Sequence, residues 1–341
     1  MSLHCLRVAE VVAETADAHS LIFAIPHELQ AAFRYRAGQF LTLRVPHAAG
    51  ALLRCYSLSS SPAFDEAPRV TVKRVKDGRA SNWICDHVAA GDELDVAAPA
   101  GRFVVRDYAA DLLLCAGGSG VTPVFSILRT ALREGSGRIF LLYANRDERS
   151  VIFRDALAAL ARENPARLQA VHWLDNVQGP PTAAQLAALA APWRHAQTYV
   201  CGPTPFMAQV ESALDDIAMP RAQVHIERFV PFADGASEAD AARIEGDASD
   251  AACAIEVHLD GRVHRIEGDR QTPLLEALLA AGVDVPYSCQ SGQCAACMCR
   301  LREGRVEMRV NDALDADDLA QGWILACQAL PRSETLVVEY R

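Results

Sequence analysis

The sequence predicts a multidomain chain: an antiparallel β-barrel over residues 1–106, an α/β domain with a doubly wound parallel sheet over 107–233, and an α+β domain over 251–341, reached through a linker at 234–250. Three observations carry that division. At 341 residues the chain exceeds what a single core usually organises. Its apolar pattern changes period near residue 107, from strand-sized runs between turns to strands alternating with amphipathic helices. Beyond residue 233 a short acidic stretch with few apolar anchors interrupts the pattern before it resumes.

In residues 1–106 the runs Ser20–Ile25, Phe40–Val45, Arg69–Val75 and Glu93–Ala97 are cut by Gly, Pro and Asp turns, as in a small antiparallel barrel. Three stretches stand out: Gly38-Gln39-Phe40 opening a strand; Arg54-Cys55-Tyr56-Ser57-Leu58-Ser59-Ser60; and Lys76-Asp77-Gly78-Arg79-Ala80-Ser81-Asn82-Trp83, ahead of a helix expected to run to about Val88. A period of two lets Arg54 and Tyr56, with one of the serines, face a common ligand. The guanidinium fork suits a phosphate and the phenol face suits an aromatic ring. The turn from Gly78 to Asn82 offers free N–H groups and Ser81 at a helix start, where a pyrophosphate is well held. By itself a Tyr-Ser strand is more often ordinary barrel core; the joint order of all three stretches points to a shared ligand.

From 107 to 233, strands are expected at Leu112–Cys115, Ile139–Tyr143, Leu168–Trp173, Thr198–Cys201 and Val224–Ile226, and helices at Pro123–Arg133, Val151–Ala161, Thr182–Ala191 and Pro205–Leu214. This alternation predicts a parallel sheet with its ligand at the strand C-terminal ends. The first strand enters Ala116-Gly117-Gly118-Ser119-Gly120-Val121-Thr122-Pro123. Gly118 and Gly120 let the backbone approach a pyrophosphate, and Pro123 suits the first helical position. The pattern is G-x-G-x-x-P, a departure from the G-x-G-x-x-G of the ordinary dinucleotide fold.

After the linker, a hairpin is expected at Ile255–Leu259 and Val263–Ile266, turned at Asp260-Gly261, then a helix with Thr272 as N-cap and Pro273 at its first position. Next come Cys289, Cys294 and Cys297, spaced C-x4-C-x2-C, with Cys327 after 29 intervening residues. That is the plant-type 2Fe-2S spacing. The small residues Ser288, Ser291, Gly292, Ala295 and Ala296 permit a tight wrap in which backbone N–H groups approach the sulfides. Structural zinc instead uses two short cysteine pairs, and Cys299 reads as a neighbour of the ligands.

The net charge is −10, and it is unevenly placed. Residues 251–341 carry 14 acids against 9 Arg, and 234–250 carry 6 acids against one Arg, leaving the first two-thirds neutral. An acidic C-terminal face fits either solubility or steering onto a basic patch of a protein partner, and it argues against nucleic acid. No apolar run reaches the ~18 residues of a membrane span. The N-terminus lacks the apolar core of a signal peptide, and eleven scattered cysteines indicate a reducing, cytoplasmic compartment.

The ordered set R-x-Y-S-L, G-x-A-S, G-S-G-V-T-P, C-G-P-x-P-F-M (Cys201 to Met207) and I-E-R-F (Ile226 to Phe229) resembles the ferredoxin–NADP reductase superfamily. With a plant-type ferredoxin β-grasp domain appended, the chain resembles the three-domain reductases of bacterial oxygenases. The stretch from Tyr143 to Arg154 is most similar to the reductase components of 3-ketosteroid 9α-hydroxylases, with phenylacetyl-CoA epoxidase reductases as similar neighbours. The resemblance implies a flavin barrel, a nicotinamide α/β domain and a ferredoxin domain. It implies that Arg54 binds a flavin phosphate, Tyr56 packs on the isoalloxazine and Ser57 lies near its N5. Lys76, Gly78, Ala80 and Ser81 belong to the cofactor turn, which favours FAD. Gly118, Gly120, Thr122 and Pro123 hold the nicotinamide dinucleotide; Cys201, Gly202 and Pro203 sit by the nicotinamide; Glu227 and Phe229 close over the flavin's other side. Ser57, Cys201 and Glu227 are thus the expected catalytic group, and Cys289, Cys294, Cys297 and Cys327 the expected metal ligands.

Arg146 and Arg149 could meet a 2′-phosphate, but Asp147 and Glu148 between them would repel it, so NADH is preferred over NADPH. Phe153 reads either as an adenine platform or as helix core. The expected activity is electron transfer from NADH through FAD and the 2Fe-2S cluster to a terminal oxygenase of the Rieske steroid-hydroxylase type, docking on the acidic domain. The rival readings are a reductase for a di-iron acyl-CoA epoxidase and a redox-bridging subunit without NADH turnover.

Overall fold

A computed structural model describes residues 3–47, 51–229, 252–259, 261–287, 290, 292, 295–311, 313–314 and 316–340. The chain divides into two compact units, residues 2–229 and the C-terminal part from 230 onward. The linker expected at 234–250 lies outside the described residues.

The first unit opens with β1 (Leu3–Thr15), β2 (Ala18–Ala24), β3 (Phe40–Val45), β4 (Leu52–Ser57), β5 (Arg69–Lys73), helix α1 (Arg79–His87) and β6 (Glu93–Ala97). The strands form one antiparallel sheet in the order β4-β3-β6-β1-β2-β5. A bridge between Leu58 and Val70 joins its two outer strands, which closes the sheet into the expected barrel and removes its free edges. Leu6, Val8, Leu21, Phe23, Leu41 and Leu43 fill the interior, and α1 plugs it with Ala80 and Ile84. The long β1 was not among the predicted runs, because Arg7 and Glu10 interrupt its apolar residues.

The second half of this unit comprises β7 (Leu112–Gly117), α2 (Val121–Glu134), β8 (Ile139–Asn145), α3 (Arg154–Glu163), β9 (Leu168–Leu174), a short α4 (Asp175–Gln178), α5 (Ala183–Ala190), β10 (Gln197–Gly202), α6 (Thr204–Asp216) and β11 (Val224–Arg228). The five strands are parallel, in the order β11-β10-β7-β8-β9. Along β7, Leu112, Leu114 and Ala116 enter one core while Leu113 and Cys115 enter the other. Helices cover both faces, so these strands read as unbroken apolar runs. Two predicted boundaries are corrected. Helix α2 starts at Val121, which places Pro123 third; its missing N–H would have been unpaired there too. Helix α3 starts at Arg154, because Phe153 is left-handed (φ 60°). Phe153 is core: it is buried and stacks on Phe125 at 4.2 Å.

Barrel and sheet share a polar seam. Ser60 and Ser61 are fully buried; Ser126 donates to the Ser60 carbonyl, the Ser61 and Thr130 hydroxyls meet at 2.8 Å, and Arg129 pairs with Asp65. Buried hydroxyls with partners cost little and fix the register of the two layers.

The C-terminal unit contains β12 (Cys253–Leu259), β13 (Arg262–Gly268), α7 (Leu274–Ala280), β14 (Met298–Glu303), β15 (Val306–Met308), α8 (Ala316–Ala320), β16 (Trp323–Leu325), β17 (Ala329–Pro331) and β18 (Thr335–Glu339). Its main sheet runs β13-β12-β18-β14-β16, with β12 and β18 parallel and the other pairs antiparallel; β15 and β17 form a separate ribbon. Leu274, Leu275 and Leu278 of α7 are buried against it. The hairpin forms as expected, with Asp260 of its turn outside the described residues. Thr272 is not the N-cap of α7: Pro273 takes that place, while Asp269 accepts from the Thr272 hydroxyl at 2.7 Å and from the backbone N–H groups of Gln271 and Thr272.

Candidate functional site

The C-terminal ends of β7, β10 and β11 meet the end of β4, and the distant residues Ser57 and Glu227 come together there. The buried Ser57 hydroxyl donates to Glu227 Oε2 at 3.1 Å. Cys201 and Glu227 are register partners in β10 and β11. Glu227 keeps some open surface, yet its carboxyl is deep enough that burial pushes its pKa to about 8, against the opposing pull of the Ser57 hydrogen bond. Burial, and then the Glu227 charge, hold the Cys201 thiol well above its usual range, so it stays neutral and serves as a soft wall. The three expected catalytic residues therefore share one place.

The glycine turn is built against that place. A Cβ on Gly120 would lie 2.2 Å from the Cys201 carbonyl oxygen and 2.6 Å from the Gly202 nitrogen, so only glycine lets the start of α2 seat there. Gly118 (φ +51°) is different: a Cβ there would meet only Lys73 Nζ, at 3.9 Å. Its backbone is an open ledge with a cation above it, which fits a pyrophosphate. Thr122 braces the turn by donating to the Ser119 carbonyl at 3.1 Å, and Tyr143 donates to that of Gly118 at 3.1 Å. Pro203 is the N-cap residue of α6.

On the barrel, β4 carries Arg54 and Tyr56 opposite Leu43 and Leu41 of β3. Tyr56 packs on the barrel core, and burial raises its phenol above the usual range, so the ring is a neutral platform. Arg54 donates to the Leu53 carbonyl at 2.9 Å. Gly78 is the N-cap residue of α1, with no side-chain cap; Ser81 Oγ accepts from the Val75 N–H at 3.2 Å and keeps its own proton to donate. Ala80 is buried and Lys76 is exposed. Phe229, 38% exposed, follows the end of β11. These residues fit a flavin dinucleotide: an uncapped helix start for the diphosphate and a half-buried aromatic for the ring.

Arg146 has a partner that local spacing did not reveal. Asp147 turns back to accept from the N–H groups of Arg149 and Ser150. The acid facing Arg146 is Asp17, from the turn between β1 and β2: its Oδ2 lies 3.2 Å from Arg146 Nη2 and 3.8 Å from Lys73 Nζ. Beside Arg146, Asn145 is buried, with its side chain next to the Tyr143 hydroxyl. Asp17, Lys73 and Asn145 escaped sequence reading because each looks like an ordinary turn or strand residue. Only tertiary contacts spanning up to 129 positions unite the charged ones.

In the C-terminal unit Cys297 and Cys327 are both buried, and the Cys327 N–H donates to Cys297 Sγ at 3.4 Å. The Gln328 amide nitrogen reaches Cys327 Sγ at 3.7 Å and the Gln290 carbonyl at 2.8 Å. Two sulfurs brought together under N–H donors suit an anionic iron–sulfur cluster. Cys289 and Cys294 lie outside the described residues. Cys299 is fully buried, and burial pushes its thiol to about 12, as befits a core residue. Among the described residues no helix is long and apolar enough to cross a membrane.

Three family descriptions match successive parts of the chain: an oxidoreductase FAD-binding domain over residues 5–105, an oxidoreductase NAD-binding domain over 114–212 and a 2Fe-2S iron-sulfur cluster binding domain over 257–332. The chain is 52% identical to the ferredoxin reductase component of 3-ketosteroid-9-alpha-monooxygenase from Rhodococcus rhodochrous, covering 98% of this chain and 96% of that protein. It is 36% identical to one of the subunits of 1,2-phenylacetyl-CoA epoxidase from Escherichia coli (strain K12), covering 99% and 98%. Phthalate dioxygenase reductase, a solved structure described as a modular structure for electron transfer from pyridine nucleotides to 2Fe-2S, aligns over 99% of this chain and 98% of its own, with 25% identity and a TM-score of 0.60.

Proposed function

The chain belongs to the family of three-domain FAD, NAD and 2Fe-2S reductases that serve multicomponent oxygenases, and from that premise we propose that it delivers electrons from NADH to the terminal Rieske-type oxygenase of a 3-ketosteroid 9α-monooxygenase. The observation that carries the reading is the convergence of Ser57, Cys201 and Glu227 beside an open glycine ledge, in a chain that also holds a cysteine pair under N–H donors. When bound, FAD would supply the chemistry that links a two-electron hydride donor to a one-electron cluster.

The chain's own residues set the geometry. Gly118 and Gly120 bring backbone to the dinucleotide, Lys73 supplies positive charge at the ledge, and the Cys201–Gly202 backbone shapes the nicotinamide edge. Glu227, whose proton burial holds more tightly than usual, and Ser57 offer a hydrogen-bonding pair where a proton has to be held. Tyr56 and Arg54 orient the flavin from the barrel; Ser81 and the start of α1 hold its diphosphate. Cys289, Cys294, Cys297 and Cys327 hold the cluster, and the acidic C-terminal domain docks the oxygenase. The eleven cysteines of the chain, scattered singly outside the cluster stretch, suit a reducing cytoplasm.

The test is an anaerobic NADH titration followed in the visible. Joint bleaching of flavin and cluster bands, with an uptake approaching about three electrons per chain, is expected. Flavin bleaching without cluster bands after anaerobic reconstitution would refute the relay. The 36% identity to the epoxidase protein keeps a second reading alive, in which the acceptor is a di-iron epoxidase. Reduction of one purified oxygenase in preference to the other decides between them.

A further inference from the structure

We infer that Asp17, from the barrel, is a specificity-determining positioning residue that makes the reductase selective for NADH by occupying Arg146. This rests on the reading above that the dinucleotide lies along the C-terminal ends of β7 and β8. In doubly wound folds the ribose 2′ group is read near the end of the strand that follows the glycine turn, by an acid for a hydroxyl or an arginine for a 2′-phosphate. Here that strand is β8, which ends at the buried Asn145 and is followed at once by Arg146. Arg146 looks like a phosphate reader in sequence, but in the fold its guanidinium is tied to Asp17 at 3.2 Å.

Asp17 is itself held in place. Its Oδ1 accepts from the Thr15 hydroxyl at 2.8 Å, and its backbone carbonyl accepts from the Arg74 N–H at 2.7 Å. Oδ2 is left to face both Arg146 and Lys73. A 2′-phosphate entering here would meet a fixed carboxylate and a cation already neutralised, and would have to break the Asp17–Arg146 pair to bind. A 2′-hydroxyl carries no such penalty, and the Asn145 amide offers it both a donor and an acceptor.

The experiment compares wild type, Asp17→Asn, Asp17→Glu, Arg146→Gln and the Asp17→Asn/Arg146→Gln double variant of the full-length holoenzyme. NADH and NADPH oxidation are followed with ferricyanide as a one-electron acceptor. Removing one like charge at this partly exposed site is expected to raise kcat/KM for NADPH on the order of tenfold, through KM and more strongly at low salt, and to change NADH by less than about twofold. Asp17→Glu keeps the wild-type preference, and the double variant loses the NADPH gain. Calorimetric binding of 2′-phospho-AMP against 5′-AMP gives the same comparison without turnover. An unchanged NADPH-to-NADH ratio in Asp17→Asn, an equal loss with both nicotinamides, or 2′-phospho-AMP binding no tighter than in wild type overturns the inference. Failure of the wild type to oxidise either nicotinamide would instead overturn the reductase reading, and the binding comparison would still decide the role of Asp17.

Discussion

Replacing Glu227 by Gln tests the buried carboxyl at the centre of the site. The substitution keeps an oxygen to accept from Ser57 and removes the titration. Burial raises the carboxyl from 4.5 to about 8, so the folded chain holds this proton more tightly than the unfolded chain does. Below pH 4.5 both states are protonated and nothing is lost. As pH rises from about 4.5 to about 8 the wild type loses stability, and above 8 the loss levels off. At about 1.4 kcal/mol per unit the shift sets a ceiling of about 5 kcal/mol at high pH and about 3 kcal/mol at pH 7; solvent at the open edge of the residue lowers both. Urea unfolding of wild type and Glu227→Gln at half-unit steps from pH 5 to 9 should show the variant gaining on the wild type with each step, then running parallel. A difference that stays constant over this range would mean the carboxyl titrates as an ordinary exposed acid, and the proton-holding role given to it would fall.

Three other outcomes follow from named contacts. Gly120→Ala drives a methyl to 2.2 Å from the Cys201 carbonyl; the shift it forces should cost about 1–3 kcal/mol and raise KM for NADH, with unchanged KM counting against the ledge as the dinucleotide seat. Cys327→Ser should abolish the cluster bands while NADH still bleaches the flavin; retained cluster absorbance would remove Cys327 from the ligand set. Leu278→Ala empties a buried position of α7 and should destabilise the C-terminal unit by about 2–5 kcal/mol, leaving NADH–ferricyanide turnover by the flavin unchanged; a matching loss of flavin would show that the two units unfold together.

The glycine turn was legible in the sequence because one physical demand, close approach of backbone, leaves few residue types able to meet it. The size of a cluster likewise sets the cysteine spacing, and of the four cysteines Cys297 and Cys327 fall among the described residues. Strand cores were legible for a related reason: β7 is apolar at every position since it is covered on both faces. Boundaries were less legible where a single backbone conformation decided them. Phe153 at φ 60° delays α3 by three residues, and Asp269 takes the hydrogen bonds that a Thr272 cap would have made.

What sequence could not supply was charge placement across the fold. Asp147 is adjacent to Arg146 in the chain, yet it spends its carboxylate on the following turn, while Asp17, 129 positions away, supplies the counter-ion. The sequence set Asp147 and Glu148 against a 2′-phosphate; the fold leaves Asp147 within the field of Arg146 and adds Asp17, from another element, as its ion-pair partner. The difference matters for function. An acid on the same loop moves with the arginine, whereas an acid fixed in the barrel couples the ribose end of the nicotinamide domain to the domain that carries the flavin. Selectivity for the nicotinamide and the seating of the two domains then depend on the same ion pair, so a change that loosens one should loosen the other.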